Sequence, residues 1–187
     1  MEGIIKAVCI SEKRGTVKKN INEVNVIKDF GLEGDAHAGK WHRQVSFLSA
    51  DIVDEFNEKG ASVIEGDFWG KNILAYGIDF KTLPVGTKLI CNDAKFEITQ
   101  IGKECHSHCE IYKRVGDCIM PREGIFAKVL ESGTIRVGDK IEVIYPGKDM
   151  PYMAAVMTLS DKGSRGERVD TSGPRAAQIL KDMDLRS

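Results

Sequence analysis

Short runs of alternating apolar and polar residues, separated by turns rich in glycine and aspartate, recur along residues 1–146. Such runs are typical of half-buried β-strands, because successive side chains of a strand point to opposite faces of its sheet. Strands of this length and spacing favour a mostly antiparallel barrel or sandwich, and closure into a barrel would leave no exposed edge. We predict about eight strands: Gly3–Ser11, Glu23–Ile27, Gln44–Leu48, Asn72–Tyr76, TKLIC (87–91), AKFEITQI (94–101), IFAKVL (125–130) and DKIEVI (139–144).

One helix interrupts this series of strands. Ser49 is a suitable N-cap, three apolar residues follow at helical spacing (Ile52, Val53 and Phe56), and Gly60 is a suitable stop. Three polar or glycine-rich stretches predict loops, namely residues 11–20, 29–40 and 65–70. The predicted first domain is therefore mainly β, with one or two helices.

The chain changes character after residue 146. Residues 147–152 form a linker rich in proline and glycine. Met153–Leu159 is a continuous apolar run, as in a strand buried on both faces, and Pro174 fits the first turn of a helix. The polar loop between them could offer backbone amides to an anion, or could simply cap the helix. Residues 153–187 therefore look like the β-α opening of an α/β domain, too short to bury such a strand alone. The unsupported strand indicates either a partner surface, such as that of a homo-oligomer, or disorder.

Composition narrows the class of protein. The formal net charge is −1, which argues against nucleic acid as the main partner. We find neither a signal peptide at the N-terminus nor an apolar run long enough to span a membrane, so we expect a cytoplasmic protein. Five cysteines in a reducing compartment are interpreted as thiols rather than disulfides. Cys9 and Cys91 lie inside strand patterns and are predicted to be core residues.

The remaining cysteines lie close together in the segment from Gly102 to Gly133. Cys105 and Cys109 flank two histidines, and Cys118 follows nine residues later. Nearby cations such as Lys103 could lower the pKa of a thiol and make it a nucleophile or a ligand for a soft metal. Packing in the core is one alternative, and a structural zinc site made of Cys105, His106, His108 and Cys109 is another.

A second cluster of polar residues lies in the segment GDAHAGKWHRQ (34–44). Its glycines allow a ligand to approach the backbone closely. His37, Lys40, His42 and Arg43 could donate hydrogen bonds to an anion, and an arginine can hold a phosphate with two parallel bonds. The alternative is a solvated loop with Trp41 partly in the core.

Three motifs in order resemble the MOSC domain, a family named for the C-terminal domain of molybdenum cofactor sulfurases. They are GDAHAGKWHRQVSFLS, EGDFWGKNI and GKECHSHCEIYKRVGDCIMPREGIFAKVLESG, and the resemblance covers residues 1–146. It implies a small closed β-barrel that binds molybdenum cofactor or carries sulfur for it, with one cysteine central. Cys109 fits the family's key thiol best. The C-x3-C spacing departs from the family pattern, so Cys105 and Cys118 stay open as alternatives.

The C-terminal stretch AAVMTLSDKGSRGERVDTSGPRAAQIL is similar to the start of the molybdopterin-binding family whose members adenylylate molybdopterin or insert molybdate. This second resemblance covers only residues 153–187 and ends after the first helix. It adds an independent indication of molybdopterin, and it does not imply adenylyltransferase activity here.

The two resemblances imply a role in handling molybdenum cofactor (molybdopterin). Cys109 or Cys105 would carry sulfur as a persulfide, as in a sulfur transferase, or Cys109 would ligate molybdenum. The implied partners are molybdopterin or its metal complex, a cysteine desulfurase as sulfur donor and a molybdoenzyme as acceptor. The residues expected to bind the cofactor are His37, Lys40, His42, Arg43, Lys103 and Cys118. The alternatives are a zinc-stabilised, non-catalytic binding module and a thiol-dependent transferase that acts on a non-pterin substrate.

Overall fold

A computed structural model describes residues 1–14, 16–58, 71–103, 120–146, 156–158, 160, 163, 165–167 and 169–182. The chain divides into two compact units, Met1–Pro146 and Gly147–Ser187. No helix among the described residues is long and apolar enough to cross a membrane.

The first unit is a closed β-barrel. Its seven strands are β1 (Glu2–Ile10), β5 (Val45–Ser49), β6 (Ile73–Tyr76), β7 (Lys88–Cys91), β8 (Ala94–Ile101), β9 (Ile125–Glu131) and β11 (Lys140–Ile144). They run in the order β11-β7-β8-β9-β5-β6-β1, and the pairing of β1 with β11 closes the ring. All of these neighbours are antiparallel except β5 and β6, which are parallel. The sequence prediction of a mainly β, closed barrel is thus confirmed.

Four further strands of the described residues lie outside the seven-stranded barrel. β2 (Lys19–Asn20) pairs with the end of β1, while β3 (Glu23–Ile27), β4 (Gly31–Leu32) and β10 (Gly133–Arg136) form a separate sheet in the order β10-β3-β4. The prediction of continuous loops over residues 11–20 and 29–40 was wrong at β2 and β4. Two-residue strands are too short to show any hydrophobic period, so the sequence pattern could not reveal them.

The core explains why the alternating runs became strands. In β3, Val24 and Val26 are buried while their neighbours are exposed, as a one-sided strand requires. In β5, all five residues are buried. Phe47 of β5 packs against the rings of Phe80 and Phe96, with centroids 5.5 and 5.3 Å away. Such aromatic pairs contribute about 1 kcal/mol each beyond the area that they bury.

Helix α1 (Ala50–Phe56) begins directly after β5, as predicted, and buries Ala50, Val53 and Phe56. Ser49 stands at the N-cap position but makes no side-chain cap hydrogen bond. Its hydroxyl contacts Asp51 instead, at 3.4 Å. A second short helix, α2 (Met120–Glu123), precedes β9. The predicted stop at Gly60 and the predicted loop 65–70 lie outside the described residues.

The second unit contains helix α3 (Ser172–Asp182), whose first turn includes Pro174, as the sequence indicates. The carboxylate of Asp170 accepts hydrogen bonds from the backbone N–H groups of Ser172 and Gly173, at 2.9 and 3.0 Å, so it caps the helix. Within the predicted strand Met153–Leu159, the described residues 156–158 are exposed and extend no sheet. The rest of that run lies outside the described part of the chain.

Candidate functional site

One end of the barrel holds two of the chain segments that the sequence singled out. Strand β1 ends there, and β5 and β6 begin there: the backbone N–H of Cys9 donates to Asn72 O at 2.7 Å, and that of Asn72 donates to Ser46 O at 3.1 Å. Strand β8 runs parallel to β5 and β6, so it ends, and β9 begins, towards the other end of the barrel. We call the end of β1, the starts of β5 and β6, and the residues of β8 and β9 that loop 34–44 contacts the site rim. The glycine-rich loop 34–44 crosses it, because Ala36 N donates to Ser11 O at 2.7 Å and Thr99 donates to the carbonyl of His42.

A buried carboxylate organises the first half of the site rim. Asp35 accepts hydrogen bonds from Lys18 Nζ at 2.5 Å, from Asn72 Nδ2 at 2.8 Å and from the backbone N–H of Ser11 at 3.1 Å. The side chains of Asp35 and Lys18 are 0% and 1% exposed. Burial alone would raise the pKa of Asp35, but the hydrogen bonds from Lys18 and Asn72 outweigh it, so this pKa lies below its ordinary value. Asp35 is therefore ionised at neutral pH.

Asn72 ties this carboxylate to the barrel strands. Its Nδ2 also donates to the carbonyl of Cys9 at 3.1 Å, and its Oδ1 accepts from the backbone N–H and the hydroxyl of Ser46. A buried amide with donors and acceptors all satisfied fixes the position of its partners. The Asp35 carboxylate consequently has one defined place relative to β1, β5 and β6.

His37 projects from this network towards solvent. Its Nδ1 lies 3.4 Å from Lys18 Nζ and 3.7 Å from Asp35 Oδ1, and its side chain is 36% exposed. Burial and the neighbouring Lys18 ammonium lower the pKa of His37, against the opposing effect of Asp35. The carbonyl of His37 accepts a hydrogen bond from the indole N–H of Trp41 at 3.1 Å. The loop thus presents a neutral imidazole at the site rim.

The second half of the site rim contains an anchored arginine. Arg43 Nε donates to Gln100 Oε1 at 2.9 Å and approaches His42 Nε2 at 3.2 Å. His42 Nε2 also lies 3.0 Å from the same Gln100 oxygen. Gln100 Nε2 in turn donates to Gly102 O at 2.8 Å. A single amide therefore links the basic loop to the point where β8 leads into the cysteine segment.

Two cations share the aromatic ring of Phe126, near the start of β9. The guanidinium carbon of Arg43 lies 5.4 Å from the centroid of Phe126, and Lys71 Nζ lies 4.6 Å from it. Lys71 is only 1% exposed. Cation–π contacts of this kind stabilise a desolvated charge, by about 2 kcal/mol in buried positions.

The structure places the predicted site residues as follows. His37, His42 and Arg43 lie on the site rim with the contacts given above. Lys40 is exposed in the same loop, and Lys103 is half-buried directly after Gly102. The cysteine and histidine candidates of the third motif lie outside the described residues: Cys105, His106, His108, Cys109 and Cys118.

Sequence reasoning missed several polar residues of the site rim. Lys18 and Lys71 are buried lysines, and a lysine in a polar stretch is expected to be solvated, so nothing in the pattern marked them. Asp35 and Asn72 each stood inside a quoted motif, and their position beside glycines was the one available signal. Gln100 lies in a predicted strand, and nothing in the pattern of that strand marked it as a site residue.

A cavity of about 270 Å³ adjoins the site rim beside the end of β1. Its apolar wall is formed by Ile10, Val17 and Ile21, and Lys13 and Lys19 also line it. Ser11 borders the cavity and also donates to Asp35. The cavity therefore lies next to the buried network.

The described residues contain no cluster suited to a metal ion. Among them, no three residues of the histidine, cysteine, aspartate and glutamate types lie close enough together to hold one. The zinc ligands of the alternative hypothesis all fall in residues 104–119, outside the described part of the chain. Neither zinc nor molybdenum ligation is assigned to a described residue.

Two cysteines can be assigned to the core, which confirms their predicted packing role. Cys9 and Cys91 are buried, and burial raises the pKa of the Cys91 thiol to about 12. Because the thiolate is the reactive form, we expect both residues to resist iodoacetamide in the native protein and to react after unfolding. Mass spectrometry of proteolytic peptides measures this directly. Labelling of Cys91 at the same rate before and after unfolding would contradict its assignment to the core.

Comparisons with known proteins agree with this architecture. The family model of the MOSC domain matches residues 34–142. No functionally curated protein matches significantly. Among solved structures, the YuaD protein from Bacillus subtilis has a TM-score of 0.65 at 20% identity, covering 76% of this chain and 96% of that one. YiiM from Geobacillus stearothermophilus has a TM-score of 0.56 at 14% identity, covering 76% and 75%. YiiM from Escherichia coli has a TM-score of 0.55 at 15% identity, covering 98% and 94%. At these identities the structural likeness shows the fold alone.

Proposed function

The chain belongs to the MOSC domain family, whose model matches more than half of it, and on this premise we propose that its site rim binds the molybdenum cofactor for sulfuration or transfer. The cofactor's pterin part carries a phosphate, and its metal end is matched by a soft ligand such as a thiolate. A fitting site must therefore combine an anion-binding group with a cysteine nearby.

The single observation that carries this proposal is the way in which the Arg43 guanidinium is held. Its Nε is held by Gln100 and its guanidinium lies over Phe126, so its direction is fixed. In the described part of the chain, no residue accepts a hydrogen bond from its two Nη groups. An arginine that is anchored at Nε and open at both Nη atoms is arranged for two-pronged binding of a phosphate.

The second requirement is a cysteine near the anion-binding group, and the two ends of the cysteine segment, Gly102 and Gly124, support it. Gly102 N donates to Gly124 O at 2.7 Å, so the chain leaves the barrel after β8 and re-enters it before β9 at neighbouring points. Cys105 is the third residue after Gly102, and three residues of extended chain span at most about 11 Å. The connection through Gln100 places this starting point beside Arg43.

We assign the roles accordingly. Arg43, with His42, Lys40 and Lys103, binds the phosphate, while His37 donates a hydrogen bond to another acceptor atom of the ligand. Cys109 carries the sulfur or ligates molybdenum, Cys105 is the alternative carrier, and Cys118 is a further cofactor-binding residue. In the sulfur-carrier role, the Cys109 thiolate attacks the outer sulfur of a persulfide on the donor, and the donor's own thiolate leaves. This exchange needs no added oxidant or reductant.

Arg43→Gln tests the proposal. Loss of charge-assisted hydrogen bonds costs about 1.5–3 kcal/mol, so we expect the dissociation constant for the cofactor to rise about 10-fold to 100-fold. Pterin fluorescence and the molybdenum content of the purified protein measure the binding.

Arg136→Gln is the matched control, because it removes a surface guanidinium that pairs with Glu23 on the small sheet. We expect this variant to bind the cofactor as the parent does, and circular dichroism should show both variants folded. Equal affinity in the Arg43 and Arg136 variants would exclude the phosphate role of Arg43.

A further inference from the structure

The contacts of His37 determine more than its position. Its Nδ1 faces Lys18 Nζ at 3.4 Å, within hydrogen-bonding distance, whereas the Asp35 oxygen at 3.7 Å is beyond it. An ammonium group has only donors, so Nδ1 can meet it only as an acceptor with a free lone pair. In a neutral imidazole the proton then resides on Nε2.

The surrounding charges keep this arrangement in place. Lys18 is buried and its ammonium is held by Asp35 at 2.5 Å, so it cannot turn away from the ring without leaving a buried carboxylate unpaired. Arg14 is a further cation near His37, and its Nε donates to the carbonyl of Ala36 at 3.1 Å. Two cations and one carboxylate that is already paired with Lys18 disfavour a third positive charge on the imidazole.

We propose that Lys18 and Asp35 act as positioning residues that hold the His37 imidazole in one neutral tautomer, with its proton on Nε2. His37 then meets a ligand as an uncharged hydrogen-bond donor, which suits a phosphate, carbonyl or oxo-anion oxygen. A histidine that ligates a metal through Nε2 instead directs Nδ1–H at an acceptor such as a carboxylate or carbonyl. With an ammonium in that place, His37 is not a metal ligand. The inference rests on the proposed function only for the identity of the ligand.

Ring-nitrogen NMR of the ¹⁵N-labelled, ligand-free protein tests the tautomer directly. His37→Gln identifies the His37 signals among those of the four histidines. From about pH 6 to pH 8 we expect Nδ1 to resonate as an unprotonated nitrogen and Nε2 as a protonated one. Protonated Nδ1, or a mixture of tautomers, would overturn the proposal. So would a change at Nε2 typical of metal coordination after one equivalent of Zn²⁺ is added.

The variant Lys18→Met tests whether the Lys18 ammonium is what holds the His37 imidazole in this tautomer. Without the ammonium, the Asp35 carboxylate becomes the nearest charge to the ring, so we expect the pKa of His37 to rise by about one unit or more. Nδ1 should then become protonated. Lys19→Met is the matched control, since Lys19 is the exposed neighbour, and it should leave both the tautomer and the pKa unchanged. An unchanged His37 in folded Lys18→Met would overturn the proposal. If Lys18→Met does not fold, the ¹⁵N spectrum of the parent protein still decides which tautomer His37 adopts.

These measurements need no cofactor, so they separate this inference from the proposed function. Normal cofactor binding by Arg43→Gln would count against the function and would leave the NMR result unaffected. Conversely, a protonated Nδ1 in a protein that binds the cofactor through Arg43 would refute the positioning role alone.

Discussion

Asp35→Ala is expected to lower the free energy of unfolding by about 3–5 kcal/mol, the usual range when one partner of a buried ion pair is removed. The substitution leaves the Lys18 ammonium buried without its carboxylate, and it also removes the acceptor of Asn72 Nδ2 and of Ser11 N. Both effects act on the native state, where these donors cannot reach water. Urea denaturation followed by circular dichroism measures the change.

The comparison variants separate the buried pair from ordinary surface electrostatics. Glu23→Ala breaks an exposed ion pair with Arg136 and should change stability by less than about 1 kcal/mol. The double variant Asp35→Ala/Lys18→Met removes both buried charges, and we expect it to be more stable than Asp35→Ala alone. A loss in Asp35→Ala no larger than that in Glu23→Ala would show that the pair does not have the environment described above.

The dependence of the free energy of unfolding on pH provides a further check on the buried pair of Asp35 and Lys18. The pKa of Asp35 is lower in the folded protein than in the unfolded chain, because hydrogen bonds from Lys18 and Asn72 outweigh the effect of burial. Its contribution to stability is therefore complete above the ordinary carboxyl pKa and is lost as the pH falls through the folded-state value. The difference in stability between the parent and Asp35→Ala should shrink over that acidic interval.

Much of the barrel was predictable because burial on one face leaves a period of two in the sequence. The alternation in Glu23–Ile27 and in AKFEITQI became the strands β3 and β8, and Asn92–Asp93 became the turn between β7 and β8. β10 was missed, since its residues Gly133–Arg136 include one buried apolar side chain, Ile135, and a single buried residue shows no period.

The candidate site was predictable only in part, because local sequence patterns show residue types and spacing but not contacts between distant residues. Residue types and glycine spacing pointed to the loop that contains His37 and Arg43, because such donors seldom gather without a ligand or a partner. They could not show that Lys18 is buried, since burial of a lysine depends on a carboxylate distant in sequence. The link from Arg43 through Gln100 to Gly102 likewise depends on how two strands are paired, which no local pattern contains.

Cys109→Ser is expected to lower the cyanide-releasable sulfur and the bound molybdenum of the purified protein about tenfold or more, because the hydroxyl forms no persulfide and is a poor ligand for a soft metal. Cys105→Ser is the direct comparison, and the residue with the larger loss is the carrier. Mass spectrometry under gentle conditions detects the extra sulfur atom or the bound pterin.

The control for these thiol variants is Cys91→Ala, which removes a buried thiol with a pKa of about 12 and leaves the cysteine segment intact. It should retain sulfur and molybdenum at the level of the parent. Unchanged values in both Cys105→Ser and Cys109→Ser would remove the thiol role. One equivalent of zinc in the parent, with unfolding on chelation, would instead favour the binding module built on Cys105, His106, His108 and Cys109. In that outcome the cysteines stabilise the fold, and Arg43 would bind an anion without any sulfur chemistry beside it.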